Sequence, residues 1–201
     1  VALLEQQQAE AVTDATLASS QFELGRLVLL RLHTLMVNGD VAVDGASKEL
    51  FLRVVAATSG NETADRSLLV LQIGSLRSLF GDWRQAVAEL QPLTVVVPHR
   101  LRALLQIYQI YASRRMIADA WPVLEAAEHS VDTSTPLLTQ ASLLRYRAAL
   151  LTLAGMFDGA ADALAALRSL PLDEKKPTHA KLRLDAACTG FDLLLAAERY
   201  E

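Results

Sequence analysis

The chain has 201 residues, an apolar fraction of 52%, an aromatic fraction of 5% and a formal net charge of −4 at pH 7. This acidic balance, without a basic stripe, excludes nucleic acid as the primary partner, and no apolar run is long enough for membrane insertion. Leucine and alanine, both strong helix formers, supply most of the apolar content, so the composition predicts an all-α protein.

The first 58 residues are predicted to form a set of N-terminal helices. Ser20 followed by Glu23 forms a capping box, which marks the start of a helix near residue 21. We keep open the interpretation that 21–58 is a divergent unit of the repeat described below. In chain order, the pattern predicts helices over 2–19, 21–37 and 46–58, a linker over 41–45 and a polar loop over 59–65.

Beyond residue 65, predicted helices follow one another in pairs with short gaps, which forces neighbouring helices to pack antiparallel. Pro98, Pro136 and Pro177 stand where first helices begin, because proline is tolerated in a first turn. Thr135 is placed to cap the helix that follows it. The predicted helices cover residues 66–80, 83–93, 99–113, 116–130, 136–154, 157–170 and 178–198.

Two residues within these helices carry separate expectations. Pro122 removes one helical hydrogen bond, so we expect a kink or a late helix start at its position. Cys188 is the only cysteine and cannot form a disulfide within the chain. We expect it to be a small buried apolar residue.

Small residues recur at the same place in the second helix of each pair. Ala120 follows Ala86 by 34 residues, and Ala160 follows Ala120 by 40. A period of this size indicates stacked helical pairs, none of which can bury its apolar face alone.

The pattern resembles the tetratricopeptide repeat family, whose repeat is 34 residues long. The resemblance covers 65–201, with the turn of an incomplete last repeat at 198–201, and it implies an α-α superhelix, a solenoid of antiparallel helical hairpins. Departures from the family pattern are Tyr108 in place of a small residue and Arg115 in place of the turn glycine. A generic α-α repeat is the alternative. The first unit matches the family motif at Gly74, Gly81, Ala86, Leu90 and Pro98.

Catalytic motifs are missing from the sequence. It contains no P-loop, Gly-rich dinucleotide turn, nucleophile elbow or HExxH sequence, so we predict neither enzymatic activity nor a cofactor. Glu125 and His129 share one helix face, but two residues make an incomplete metal site, and no bound metal is expected.

The resemblance also implies a partner-binding groove, because the first helices of tetratricopeptide pairs line a concave surface that takes up peptides or helices. The Lys/Asn set with which some family members hold a C-terminal carboxylate is missing. Arg102 and Arg145 are expected to pair with acidic groups of a partner, unless both are ordinary surface charges. The implied groove residues are Leu68, Leu71, Ser75, Ser78, Arg102, Leu105, Gln106, Gln109, Arg145, Tyr146 and Ala149.

The predicted function is a non-catalytic protein-protein interaction module of scaffold, adaptor or chaperone type, with a protein or peptide as its partner. Two alternatives stay open: a sensory or regulatory segment of a larger signalling ATPase or transcription regulator, and a bacterial secretion-system chaperone. The Ala/Leu/Arg-rich composition favours a bacterial source. We further expect self-association through an exposed terminal repeat and a cytoplasmic location.

Overall fold

The computed structural model describes residues 22–58, 66–173 and 175–198. Every regular element within these ranges is a helix, which confirms the predicted all-α class. The predicted helix over 2–19, the loop over 59–65 and the final turn at 199–201 lie outside the described residues.

The chain divides into two compact units, Val1–Leu93 and Thr94–Glu201. The first unit contains helices α1 (22–37), α2 (Gly45–Thr58), α3 (Ser67–Leu79) and α4 (Trp83–Leu90), followed by a 3-10 helix, Gln91–Val95. The second unit contains helices α5 (Arg100–Ser113), α6 (Ile117–Glu128), α7 (Leu137–Leu153), α8 (Phe157–Ser169) and α9 (Pro177–Glu198). Each of these helices begins and ends within three residues of its predicted bounds.

Three helical hairpins, α3–α4, α5–α6 and α7–α8, close with the same backbone turn. In each turn one residue has a left-handed conformation, with φ of 88° at Gly81, 57° at Arg115 and 74° at Gly155. The amide of the next residue then reaches back to a carbonyl in the last turn of the first helix, as in a Schellman motif. These bonds run from Asp82 to Arg77, from Met116 to Tyr111 and from Met156 to Leu151, at 2.9, 3.0 and 2.9 Å.

Arg115 is the one non-glycine residue among these turn positions, and a left-handed conformation strains any residue that carries a Cβ. We therefore expect Arg115→Gly to raise the free energy of unfolding by about 0.5–1 kcal/mol, because the Arg115 side chain is exposed and loses little packing. Urea unfolding followed by circular dichroism measures the change. Gly155→Ala is the reciprocal control and is expected to lose a similar amount, since its Cβ would meet no neighbour. A loss of stability in Arg115→Gly would contradict the expectation.

The recurring alanines of the second helices lie where pairs of helices pack closely. Ala86, Ala120 and Ala160 are all fully buried, as their spacing predicts. Four residues further along each helix stands a buried leucine: Leu90, Leu124 and Leu164. The three second helices therefore turn the same pattern of a small and a bulky residue inward.

The first unit has a core that α1, α2 and α3 share. Phe51 of α2 is fully buried, and its ring centroid lies 5.4 Å from that of Phe80 and 5.6 Å from the guanidinium carbon of Arg77. Lys48 and Asp82 form an ion pair at 2.8 Å. These contacts join the first hairpin to the N-terminal helices, although its sequence pattern resembles that of the later pairs.

In the second unit, α9 packs against α7 and α8. Its residues Ala186 and Leu193 join a buried cluster with Leu164 and Leu167 of α8, and Leu182 packs with Ala141 of α7 in another cluster. One face of α9 is thus buried, as expected for the first helix of a further pair.

Several local predictions are wrong. Thr135 does not cap α7, because its hydroxyl bonds to Asp132 within the preceding turn; Pro136 holds the cap position with extended backbone. The α6 helix starts at Ile117, so Pro122 lies inside it and the expected late start is wrong, while the kink that was the other expectation stays a prediction. Cys188 is exposed, because it lies on the side of α9 that faces away from α7 and α8.

Candidate functional site

Helices α5 and α7 form a groove of about 250 Å³ in the second unit, which we call the α5–α7 groove. Its residues repeat at three- and four-residue spacing along each helix, so they share one face. Five of the eight lining residues are among those implied by the family resemblance: Arg102, Leu105, Gln106, Gln109 and Tyr146. The other three lining residues, Leu138, Thr139 and Ser142, are not among those that the resemblance implies. They precede Tyr146 by eight, seven and four residues, and this helical spacing is the signal that could have placed them on the same face of α7.

Tyr146 is held in a defined position within this groove. Its ring centroid lies 5.1 Å from that of Tyr108, and its backbone carbonyl accepts a 2.7 Å hydrogen bond from the Tyr108 hydroxyl. Its own hydroxyl accepts a hydrogen bond from the side-chain amide of Gln109. The Arg145 guanidinium carbon lies 4.7 Å from the ring centroid, within the range of a cation–π contact. Neighbours on both helices therefore orient the Tyr146 ring.

Tyr108 connects the floor of the groove to the core. Burial raises the pKa of the Tyr108 phenol well above its ordinary value, and the neighbouring Tyr146 adds to this rise, while Arg145 opposes it. The phenol consequently stays protonated around neutral pH and keeps donating to the Tyr146 carbonyl. Tyr108 occupies the position where the family pattern has a small residue, so this departure supports the groove.

Two polar atoms beside the Tyr146 ring are shielded from solvent and unsatisfied. Gln106 Oε1 and Arg145 Nε have no hydrogen-bond partner among the described residues. Buried polar atoms are normally paired, and an unpaired one costs about 1–3 kcal/mol. Gln106 lines the groove, and Arg145 stands beside the lining residue Tyr146. Because both atoms are covered, a bound polypeptide pairs with them only after the Gln106 or Arg145 side chain turns outward.

The remaining groove residues implied by the resemblance do not line this groove. Leu68, Ser75 and Ser78 are half-buried on α3 of the first unit. Leu71 is only 5% exposed, so it presents little surface to a partner. Arg145 and Ala149 are half-buried on α7.

Comparisons of the chain with protein-family models, with curated proteins and with solved structures give no match. The tetratricopeptide resemblance therefore stays a prediction that rests on the residues themselves.

A second and larger groove lies between α6, α7 and α8, with a volume of about 640 Å³. Its walls are mostly apolar and include Trp121, Leu144 and Met156, and a 2.7 Å ion pair between Arg147 and Glu128 borders it. This groove was not predicted from the sequence.

The first unit contains a separate groove of about 590 Å³ between α1 and α2. Close to it, burial lowers the pKa of His33, so this histidine is predominantly neutral at pH 7.

The described residues hold no group of three or more His, Cys, Asp or Glu side chains that is arranged to bind a metal ion. The Nδ1 atom of His129 lies 2.7 Å from the backbone carbonyl oxygen of Glu125. This hydrogen bond within α6 and its C-terminal cap engages one of the two ring nitrogens that could bind a metal. Within the same part of the chain, no helix combines the length and the apolarity that crossing a membrane requires.

Proposed function

We propose that this chain is a non-catalytic protein-binding module, a solenoid of tetratricopeptide-like hairpins that acts as a scaffold, adaptor or chaperone and holds an extended peptide or a helix of its partner in the α5–α7 groove. The observation that supports this proposal most is that four residues implied by the resemblance, Arg102, Leu105, Gln106 and Gln109, line one groove together with the oriented ring of Tyr146. The shared turn geometry of the three hairpins supports the repeat, because equivalent turns present equivalent helix faces.

The chemistry of the groove suits a polypeptide backbone. Every non-proline residue of a bound peptide brings one N–H donor and one C=O acceptor. A peptide N–H is suited to donate to Gln106 Oε1, and a peptide carbonyl is suited to accept from the Arg145 guanidinium. Leu105 and Tyr146 provide apolar surface for a side chain of the bound segment. This combination favours a peptide over a purely apolar ligand.

Charge adds a preference for acidic partners. Arg102 is exposed at the groove, and Arg145 lies over the Tyr146 ring. Both carry a permanent positive charge, and their guanidinium groups bind carboxylates with two parallel hydrogen bonds. We therefore expect the bound segment to contain an aspartate, a glutamate or a C-terminal carboxylate.

Selection of random peptides displayed on phage, with the immobilised chain as bait, tests the proposal. We expect enrichment of acidic sequences, and we expect Arg102→Glu to weaken the binding of a selected synthetic peptide about tenfold or more, since a lost charge-assisted hydrogen bond costs about 1.5–3 kcal/mol. Gln106→Ala is expected to weaken it about two- to tenfold, since a neutral hydrogen bond contributes about 0.5–1.5 kcal/mol. Fluorescence anisotropy measures the dissociation constants. Arg53→Glu, an exposed charge reversal on α2 of the first unit, is the control and should leave binding unchanged.

Two outcomes contradict the proposal. One is a chain that enriches no peptide. The other is a set of selected peptides that bind Arg102→Glu and Gln106→Ala as tightly as they bind the original chain, since their binding surface then lies elsewhere.

A further inference from the structure

Helix α9 exposes a continuous apolar face opposite to the one that it packs against α7 and α8. Leu184, Phe191, Leu194 and Leu195 are 64%, 62%, 64% and 40% exposed, and Cys188 is exposed between them. Residues 184, 188, 191 and 195 alternate at spacings of four and three, so they form one stripe along the helix, as in a two-helix seam. The four large side chains present on the order of 400 Å² of apolar surface, a patch size that often marks an interaction site.

The exposed charges on this side of α9 differ between its two ends. Lys181 is exposed in the N-terminal half of the helix, whereas Asp192 and Glu198 are exposed towards the C-terminal end, and Asp185 between them is half-buried. Before the helix, Lys175 and Lys176 are exposed together with Asp173. This order is unfavourable for the helix itself, because the helix dipole prefers acids at the N-terminus and bases at the C-terminus. It is favourable for a second α9 that runs antiparallel, since each basic end then meets an acidic end.

We propose that a second copy of this chain docks on this face, with the two α9 helices antiparallel about a two-fold axis near Cys188. In that arrangement Leu184 packs against the partner's Phe191, and Lys181 lies within about one helical turn of the partner's Asp192 and Glu198. A two-fold axis makes the contact self-complementary, so it closes as a dimer. The α5–α7 groove takes no part in this contact, so the inference goes beyond the proposed function.

The size of the face sets the expected strength of the dimer. Two copies together bury on the order of 800 Å² through these four side chains, with further area from the flanking residues, which is the range of weak and transient interfaces. We therefore expect a dissociation constant in the micromolar range. The dimer should weaken with added salt, because its orientation depends on exposed charges.

Cys188 provides a direct readout, because it is the only cysteine of the chain and lies close to the proposed axis. We expect sedimentation velocity to detect a dimer at about 100 µM, and we expect a short bismaleimide to link two chains through Cys188. Phe191→Glu should abolish both signals while circular dichroism shows an unchanged helix content, because Phe191 is exposed. Leu52→Glu, which changes an exposed leucine of α2 that is 45% accessible, should keep both.

A charge exchange tests the orientation of the two helices. Lys181→Glu is expected to weaken the dimer several-fold at low salt, and the double variant Lys181→Glu with Glu198→Lys is expected to restore it, since only an antiparallel pair brings these residues together. The proposal is overturned by a monomer at about 100 µM, by a dimer that Phe191→Glu leaves intact, or by a charge exchange that does not rescue association.

Discussion

Tyr108→Ala is expected to lower the free energy of unfolding of the second unit by about 3–5 kcal/mol, the usual cost of truncating a buried aromatic residue. The Tyr108 side chain is 2% exposed and packs in a cluster with Ala120 and Leu124 of α6 and Leu143 of α7. Its removal leaves a cavity at the place where α5, α6 and α7 meet, and it also removes the support of the Tyr146 ring. Urea unfolding followed by circular dichroism measures the loss.

Tyr108→Phe separates packing from hydrogen bonding. It keeps the ring and removes only the 2.7 Å bond to the Tyr146 carbonyl, so we expect a loss of about 1 kcal/mol. Tyr146→Phe is the matched control, and it should cost less, because the bond between its hydroxyl and Gln109 is exposed to solvent. Equal losses in Tyr108→Phe and Tyr108→Ala would show that packing of the ring contributes little, contrary to the expectation.

The pH dependence of stability gives Tyr108 a separate signature. Its pKa is raised in the folded chain, so the stability that it contributes is complete below the unfolded-state pKa near 10 and is lost as the pH rises beyond that value. The original chain should therefore lose more stability between about pH 10 and 12 than Tyr108→Phe does. Parallel alkaline profiles of the two proteins would contradict this assignment.

The helices of this chain could be predicted because their signals are local. Periodic leucines and alanines, turn glycines and first-turn prolines all act within a few residues, and they place the helix ends closely. Thr135 shows the limit of such reasoning, because its hydroxyl is close to two possible partners, the first turn of α7 and Asp132. A threonine before Pro136 suits a cap, but the Thr135 hydroxyl donates to the Asp132 carboxylate and accepts from the Asp132 amide instead. The Ser134 hydroxyl donates to the same carboxylate.

The candidate site could be predicted only in part, because a groove depends on which helices meet. The face of α5 follows from spacing, and Tyr146 follows from the repeat alignment, so the α5–α7 groove contains residues that the resemblance implies. Leu71 lies on an equivalent face of α3 but is buried, and nothing in its own segment reveals this. The larger groove beside Arg147 arises from side-chain volumes on α6, α7 and α8 together, which no single segment encodes.

Equivalent positions of the three hairpins hold three different residues, and the structure accounts for two of them. Seven residues before the left-handed turn stand Gly74 in the first hairpin, Tyr108 in the second and Ala148 in the third, and all three are buried. Gly74 allows Leu90 of α4 to approach the α3 backbone, whereas Tyr108 reaches across to α7. The same place in the hairpin thus serves close helix packing in one unit and groove support in the other.

Gly74→Val is accordingly expected to destabilise the first unit by about 1–3 kcal/mol, the usual cost of overpacking a core. A Cβ at Gly74 would lie 2.8 Å from Leu90 Cγ and 2.9 and 3.0 Å from the two Leu90 methyl carbons. Leu90 is fully buried, so it has no free space into which to move. Thermal and urea unfolding both report the loss.

A second-site change and a matched glycine establish the cause. Leu90→Ala alone should cost about 2–5 kcal/mol, but the double variant Gly74→Val with Leu90→Ala should cost less than the two single losses combined, because the valine fills the space that the leucine vacates. Gly190→Ala in α9 is the control: its Cβ would come no closer than 3.7 Å to Leu164, so higher helix propensity should stabilise the chain by about 0.5–1 kcal/mol. Additive losses in the double variant would mean that Gly74→Val does not destabilise through a clash with Leu90, and the close approach of Leu90 to α3 would then lose its support.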